Sequence, residues 1–292
     1  MVINMNNPVR ISKASERHAL REIWRQVFKS DDGDLFFEHF SHPKRCMVIE
    51  DNGTPVSMGF LLPAGNFVSD GKCYPCGMIY ALATLPQYRG HGFATAIVDS
   101  LLEAGRKQGY NATILSPSND DLFDYYNNRT KFSEHFYICE RKYSTLGECN
   151  KGTIISEPSA REYHAIRESL LTDMAHMKMD IDIIEYQRKL SHLTGGKLVK
   201  IDQSGIISCA AIEVYADGAI LVKELLAPAG HYDAALSAIG ETFPAHQYTV
   251  RTPAQINNCS NAHVRRFGMI AAYPAINATA SHIAPWYGFA LD

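Results

Sequence analysis

Two successive runs of alternating helix and strand signals predict an α/β (α+β) chain made of two similar halves. Each half is expected to hold a mixed, mostly antiparallel sheet flanked by helices. Three observations predict it. The chain has 292 residues, a length that suits about two domains. A glycine-bearing loop near residues 86–92 joins a strand signal to a helix signal. A polar stretch at 144–158, with Gly147, Gly152 and Pro158, separates two segments whose elements come in the same order.

The first half begins with strand residues around Val9 to Ile11. An amphipathic helix is expected from Ser15 to Phe28, because Leu20, Ile23, Trp24 and Val27 recur on one face. A short helix follows from Asp34 to Phe40. Arg45 to Glu50 reads as a strand, Asp51-Asn52-Gly53 as a hairpin turn, and Val56 to Pro63 as the returning strand. The apolar run Gly77 to Leu85 is a further strand that ends at Pro86. Phe93 to Lys107 is helical: Ala94, Ile97, Val98, Leu101 and Leu102 lie on one face, and Arg106, Lys107 and Gly109 suit its stop. Tyr110 to Leu115 is a short strand, Asp120 to Asn128 a helix, and Phe136 to Tyr143 a strand.

After the polar stretch the order recurs. Ser159 to Thr172 and Ile181 to Leu193 are helical. Leu198 to Asp202, Ile206 to Tyr215 and Ala219 to Leu226 are strands, broken at Asp217-Gly218. Tyr232 to Phe243 is a helix and Gln247 to Thr252 a strand.

Composition excludes several classes. The formal charge of −3 argues against a general nucleic-acid or anionic-membrane surface. No run of about 18 apolar residues suggests a membrane helix. Residues 1–20 are polar and charged, so no signal peptide is expected, and an odd count of seven cysteines suits reduced thiols; a cytoplasmic location follows. Cys73-Tyr-Pro-Cys76 lacks the two further ligands that a zinc site needs, and no metal is expected.

The chemistry is concentrated in Gln87-Tyr88-Arg89-Gly90-His91-Gly92-Phe93-Ala94-Thr95. The first N–H groups of a helix have no internal partner, and the helix dipole adds partial positive charge there. Gly90 and Gly92 let the backbone curl close to an anion, and Arg89 adds a charged fork suited to phosphate oxygens. No Lys-Ser/Thr follows, which excludes a mononucleotide P-loop. Thr95 stands where a dinucleotide fingerprint needs its third glycine.

Gln87-x-x-Gly90-x-Gly92, with Arg89 inside it and Ala83-Thr84-Leu85-Pro86 before it, resembles the acetyl-CoA loop of the GCN5-related N-acetyltransferases, the GNAT superfamily. The strand, loop, helix and strand order agrees with that resemblance, which implies tandem GNAT-like domains at 1–146 and 159–292. It further implies transfer of an acetyl group from acetyl-CoA to a primary amine of a small molecule or peptide, in a ternary complex. Backbone groups of Leu82, Ala83 and Thr84 would hold the pantetheine arm and polarise the thioester carbonyl. Arg89, Gly90, His91, Gly92, Phe93, Ala94 and Thr95 would hold the pyrophosphate, with Ser118 and Asn119 as further cofactor contacts. Tyr126 is the implied general acid, with Tyr125 as its rival. The base is not identified. Asp292, at the end of the apolar tail from Pro285, is a candidate to lie near the acceptor amine; the alternative is that the tail is an edge strand.

The matching position in the second half reads Leu226-Ala-Pro-Ala-Gly230-His-Tyr-Asp233, with one glycine, no arginine and a carboxylate at the helix start. That carboxylate would repel a pyrophosphate, so the second copy is expected not to bind the cofactor. The pairing of a cofactor-binding first domain with a degenerate second resembles the enhanced-intracellular-survival (Eis-like) acetyltransferases. A non-catalytic acyl-CoA-binding sensor is the competing class, and self-association into a homo-oligomer is left open.

Overall fold

A computed structural model describes residues 8–30, 32–40, 42, 45–147, 152–254, 263–273 and 284–291. In chain order the elements are β1 (Arg10–Ile11), α1 (Arg17–Phe28), α2 (Gly33–His39), β2 (Cys46–Asp51), β3 (Thr54–Ser69), β4 (Lys72–Thr84), α3 (Phe93–Lys107), β5 (Ala112–Leu115), α4 (Asp120–Arg129) and β6 (Ser133–Tyr143). The rest are β7 (Thr153–Ser156), α5 (Ala160–Leu170), β8 (His176–Met179), α6 (Ile181–Leu193), β9 (Leu198–Gln203), β10 (Ile206–Val214), β11 (Ile220–Leu226), α7 (Tyr232–Thr242), β12 (Tyr248–Pro253) and β13 (His263–Ala272). The α/β class is as the sequence predicts. None of the described helices is long and apolar enough to cross a membrane.

The chain forms two compact units. The first contains residues 1–65, 74–134 and 269–278, and the second 66–73, 135–268 and 279–292. The hydrogen-bonded strand order in the first is β1-β2-β3-β4-β5-β13. β2 runs antiparallel to β3, whereas β4 and β5 are parallel and joined through α3. A parallel pair needs such a crossover, because a tight turn can join only antiparallel neighbours. α3 turns its apolar stripe inward: Ile97, Val98, Leu101 and Leu102 are buried in one cluster with Phe123, Tyr126, Met269 and Ala271. Each such burial is worth roughly 1.5–3 kcal/mol over exposure. Arg106 and Lys107 sit in the last turn, and Gly109 leaves the helix at a φ of 83°.

The second unit has the order β6-β12-β11-β10-β9-β7. Its β9-β10-β11 meander leads through α7 into β12, which is parallel to β11. This repeats the β2-β3-β4, α3, β5 arrangement of the first unit. A tandem of two similar folds is therefore present, with one difference from a simple succession along the chain. The strand antiparallel to β5 is the end of β13, with Met269 opposite Leu115 and Ala272 opposite Ala112. The strand antiparallel to β12 is β6, with Tyr143 opposite Tyr248 and Ile138 opposite Pro253. Each unit is thus completed by a strand from the other stretch of sequence. The compact units do not coincide with the stretches on either side of the 144–158 linker.

Three further elements depart from the sequence reading. The linker contains β7, an edge strand whose Ile155 lies opposite Ile201. Strand β8 interrupts what reads as a simple helix pair. β3 and β4 extend into a long hairpin whose turn is Asp70-Gly71, with φ of 50° and 71°. Cys73 and Cys76 both lie on β4, Cys73 exposed and Cys76 buried. Three positions along an extended strand span roughly 10 Å, too far for a disulfide.

A buried polar knot organises the second unit. Glu224, on β11, is completely buried. Its carboxylate accepts from Arg167 Nε at 3.0 Å, from the Tyr163 hydroxyl at 3.0 Å and from Trp286 Nε1 at 2.7 Å. Arg167 also donates to the carbonyls of Met177 (2.6 Å) and Tyr287 (3.2 Å). The chain end is thereby packed: Trp286, Tyr287, Phe289, Ala290 and Leu291 are all buried.

Two predictions follow from this architecture. A fragment of residues 1–146 lacks Met269 to Ala272 and leaves β5 unpaired on one side. It should show no cooperative thermal transition by circular dichroism, and a sharp transition would refute the strand assignment. His135 packs against Phe67 and Phe136, and burial pushes its imidazole down to about 4. Its neutral form is the one that the fold holds, so its stabilisation is complete above about pH 6.5 and is lost as the pH falls toward 4. Denaturant titrations of wild type and His135→Phe should diverge across that window, with roughly 3 kcal/mol at stake; parallel curves would exclude the effect.

Candidate functional site

The site begins with a change of direction in β4. Pairing of β4 with β5 runs from Cys76↔Ala112 to Met78↔Ile114. Three residues later Ala81 has a φ of 51°, in the left-handed region that costs a residue with a Cβ about 1–2 kcal/mol. Beyond it, Leu82, Ala83 and Thr84 line a cleft of about 850 Å³. Buried Ser57 fixes the strand end: its hydroxyl donates to the carbonyl of Ala83 at 3.0 Å and lies 2.7 Å from Thr84 Oγ1.

The loop that follows is held from both sides. Leu85 N–H donates to the carbonyl of Val56 at 3.0 Å. A single helical turn, Pro86–Tyr88, places the Tyr88 hydroxyl 2.9 Å from Asp51 Oδ2, to which it donates. That hydrogen bond raises the Tyr88 phenol above its ordinary value. Exposed Arg89 donates from Nε to the carbonyl of Thr84 at 3.3 Å. Gly90 and Gly92 have φ of 83° and 77°, and a Cβ at either would meet open space. The left-handed backbone, rather than crowding, is what requires glycine there. Gly92 caps α3, so the N–H groups of Phe93, Ala94 and Thr95 stand at its unpaired end.

Across the cleft lies α4. Asn119 is its N-cap and accepts the Leu122 N–H at 3.0 Å. Tyr125, Tyr126 and Arg129 line the cleft from this helix. The Tyr125 hydroxyl is 2.8 Å from Thr95 Oγ1, which ties α4 to the first turn of α3. The Tyr126 hydroxyl has no hydrogen-bond partner among the described residues. Burial pushes its phenol well up, so it is protonated throughout the neutral range.

The structure brings together Leu82, Ala83, Thr84, Arg89, Gly90, Gly92, Phe93, Ala94, Thr95, Ser118, Asn119 and Tyr126 around this one cleft. His91 is in the loop, but its ring packs toward Phe93, 6.0 Å between centroids. Asp292 lies outside the described residues. Phe28 lines the cleft as well, and so do Val27, Tyr88, Asp121 and Arg129, although the sequence did not mark these four as site residues. For Arg129 a signal existed: it is four residues beyond Tyr125, on the same helical face. Tyr88 gave none, since its partner Asp51 is a turn residue of a distant hairpin.

Residues 8–129 match the family described as acetyltransferase (GNAT) domain. No curated protein matches the sequence. Among solved structures, a GCN5-related N-acetyltransferase from Anabaena variabilis aligns over 90% of this chain and 71% of its own, with a TM-score of 0.69 and 14% identity. One from Kribbella flavida aligns over 91% and 70%, with a TM-score of 0.65 and 14% identity. Eis1 from Mycobacterium abscessus aligns over 90% and 73%, with a TM-score of 0.62 and 11% identity. At these identities the likeness is one of fold, and it extends through both units. The stretch that matches the GNAT acetyltransferase family, residues 8–129, contains every residue that lines the cleft.

Proposed function

We propose that the protein moves an acetyl group from acetyl-CoA to a primary amine by direct transfer in a ternary complex. The single observation that supports this reading is the cleft, around which the glycine loop, the bent strand end and the unpartnered Tyr126 phenol all lie. The residues present fit acetyl-CoA. The open space beside Gly90 and Gly92 admits a pyrophosphate against the N–H groups of α3, where the helix dipole favours negative charge. Arg89 supplies the neutralising cation. The strand end at Leu82 to Thr84 offers main-chain groups to the pantetheine arm.

Acetyl-CoA supplies an activated acyl group whose C–S bond breaks as an amine nitrogen bonds to the carbonyl carbon. Around that event the chain orients and protonates. Main-chain N–H groups aimed at a carbonyl oxygen stabilise the charge that develops on it. Tyr126 holds its proton at neutral pH and donates a hydrogen bond to the departing sulfur. Tyr125 is occupied by Thr95 and keeps α4 in place, which favours Tyr126 as the acid. The first unit is the cofactor-binding one in this reading. In the second, the counterpart loop has Gly230 at a φ of 81° but no arginine, and Asp233 sits in the first turn of α7. A carboxylate at that point disfavours an anion, so the second unit does not hold the cofactor in this reading.

Measurement of free thiol release with acetyl-CoA and a panel of amines tests the proposal. Tyr126→Phe should lower kcat by about a hundredfold or more while acetyl-CoA affinity stays near wild type. Unchanged turnover removes Tyr126 from the mechanism, and tight acetyl-CoA binding without thiol release for any amine would favour the sensor class. Gly92→Val forces a β-branched side chain into a left-handed backbone. Its acetyl-CoA Kd should rise at least tenfold in calorimetry while cooperative unfolding is retained; wild-type affinity would show that the loop is not the cradle.

A further inference from the structure

The last turn of α1 reaches the cleft through Val27 and Phe28. Phe28 is 39% exposed, one of few large apolar side chains so open among the described residues. It is not loose. Its ring packs edge-on to Trp24 at 4.9 Å, and Trp24 in turn lies 6.1 Å from Tyr80. Tyr80 immediately precedes the bend at Ala81. Phe28 shares the cleft with the strand end at Leu82 to Thr84, where the thioester is to be held. Lys29 then takes a left-handed turn, with φ of 54°, and carries the chain away, so that Phe28 is the last helical side chain on that wall.

The charge of the lining points the same way. Among the described residues that line the cleft, Asp121 is the one carboxylate, set against Arg89 and Arg129. A polycationic acceptor would need several carboxylates to offset its desolvation, and the lining does not supply them. Val27, Phe28, Leu82 and Ala83 instead offer apolar surface with an open aromatic face.

We propose that the acceptor is a primary amine bearing an aromatic or other planar apolar group, held against the Phe28 ring beside Leu82 to Thr84. The proposal rests on the acetyl-transfer reading above. The amine enters neutral, its nitrogen bonds to the acetyl carbon, the C–S bond breaks, and the proton lost from nitrogen is balanced by the one gained at sulfur. The products are the N-acetyl amine and free CoA thiol. Stacking on an exposed ring favours flat apolar groups without requiring a charge partner.

The test uses the full chain with acetyl-CoA and four probes: 2-phenylethylamine, ethylamine, spermidine and an aminoglycoside. The expected kcat/KM for 2-phenylethylamine exceeds that for each of the others by at least tenfold. Phe28→Ala should raise KM for 2-phenylethylamine about tenfold, with kcat near wild type and acetyl-CoA Kd within twofold, and Phe28→Tyr should restore KM. Preference for spermidine or the aminoglycoside overturns the proposal, as does a Phe28→Ala change that is equal for ethylamine and 2-phenylethylamine. A protein that binds acetyl-CoA but consumes none of the four amines also overturns it, leaving the donor reading intact. Failure to bind acetyl-CoA in calorimetry removes the donor reading and this proposal with it.

Discussion

The site exists because β4 and β5 part. Two parallel strands that stayed paired to their ends would satisfy each other's main-chain groups and leave no volume between them. Here pairing covers only Cys76 to Met78, and the left-handed residue Ala81 bends β4 away. The strand end is then free to face a ligand, and the cleft opens at the carboxyl ends of the parallel strands, where crossover folds present their sites. The rest of the architecture serves that opening. Ser57 locks Ala83 and Thr84, α3 begins where β4 stops, and α4 closes the opposite wall. The strain at Ala81 is small against the burial under α3, which is why the fold can sustain it.

The glycine loop is only as firm as the helix behind it. α3 is gripped at its far end by Tyr273, whose hydroxyl donates to the carbonyl of Leu102 at 2.6 Å and lies 3.0 Å from Thr113 Oγ1. Gly105 sits so close to both that an added Cβ would meet Thr113 Oγ1 at 3.1 Å and Tyr273 Oη at 3.2 Å. The second unit solves its own cohesion by a different means. Glu224 and Arg167 are costly to bury, but every strong donor around the carboxylate is used. Loss of one partner from such a knot typically costs 3–5 kcal/mol, because the remaining charge is stranded.

What the sequence made legible was local. Gly90 and Gly92 announce the loop before α3 because left-handed backbone and a free helix end are properties of adjacent residues. The stripe of α3 and the cap of α4 are equally short-range. The misses all depend on partners distant in sequence. β13 reads as no particular strand, since its pairing with β5 joins residues more than 150 positions apart. The edge strand β7 is four residues long, too short to show alternation above a polar linker. Phe28 is one of several aromatics that crowd the first two helices, most of them core, and nothing in the sequence singles it out as the ring that lines the cleft. Tyr88 and Asp51 meet only after the hairpin and the loop have both formed.

The exchange of β6 and β13 bears on how the chain is made. A ribosome delivers residues in order, and the strand that flanks β5 emerges after every other described strand. The first unit, although most of its strands come early in the chain, waits for residues 269–272 before its sheet is complete. The second half needs β6, which is already outside the exit tunnel when β12 appears. Synthesis and completion therefore follow different orders: β6 and β12 of the second unit are both made before β13 supplies the last strand of the first.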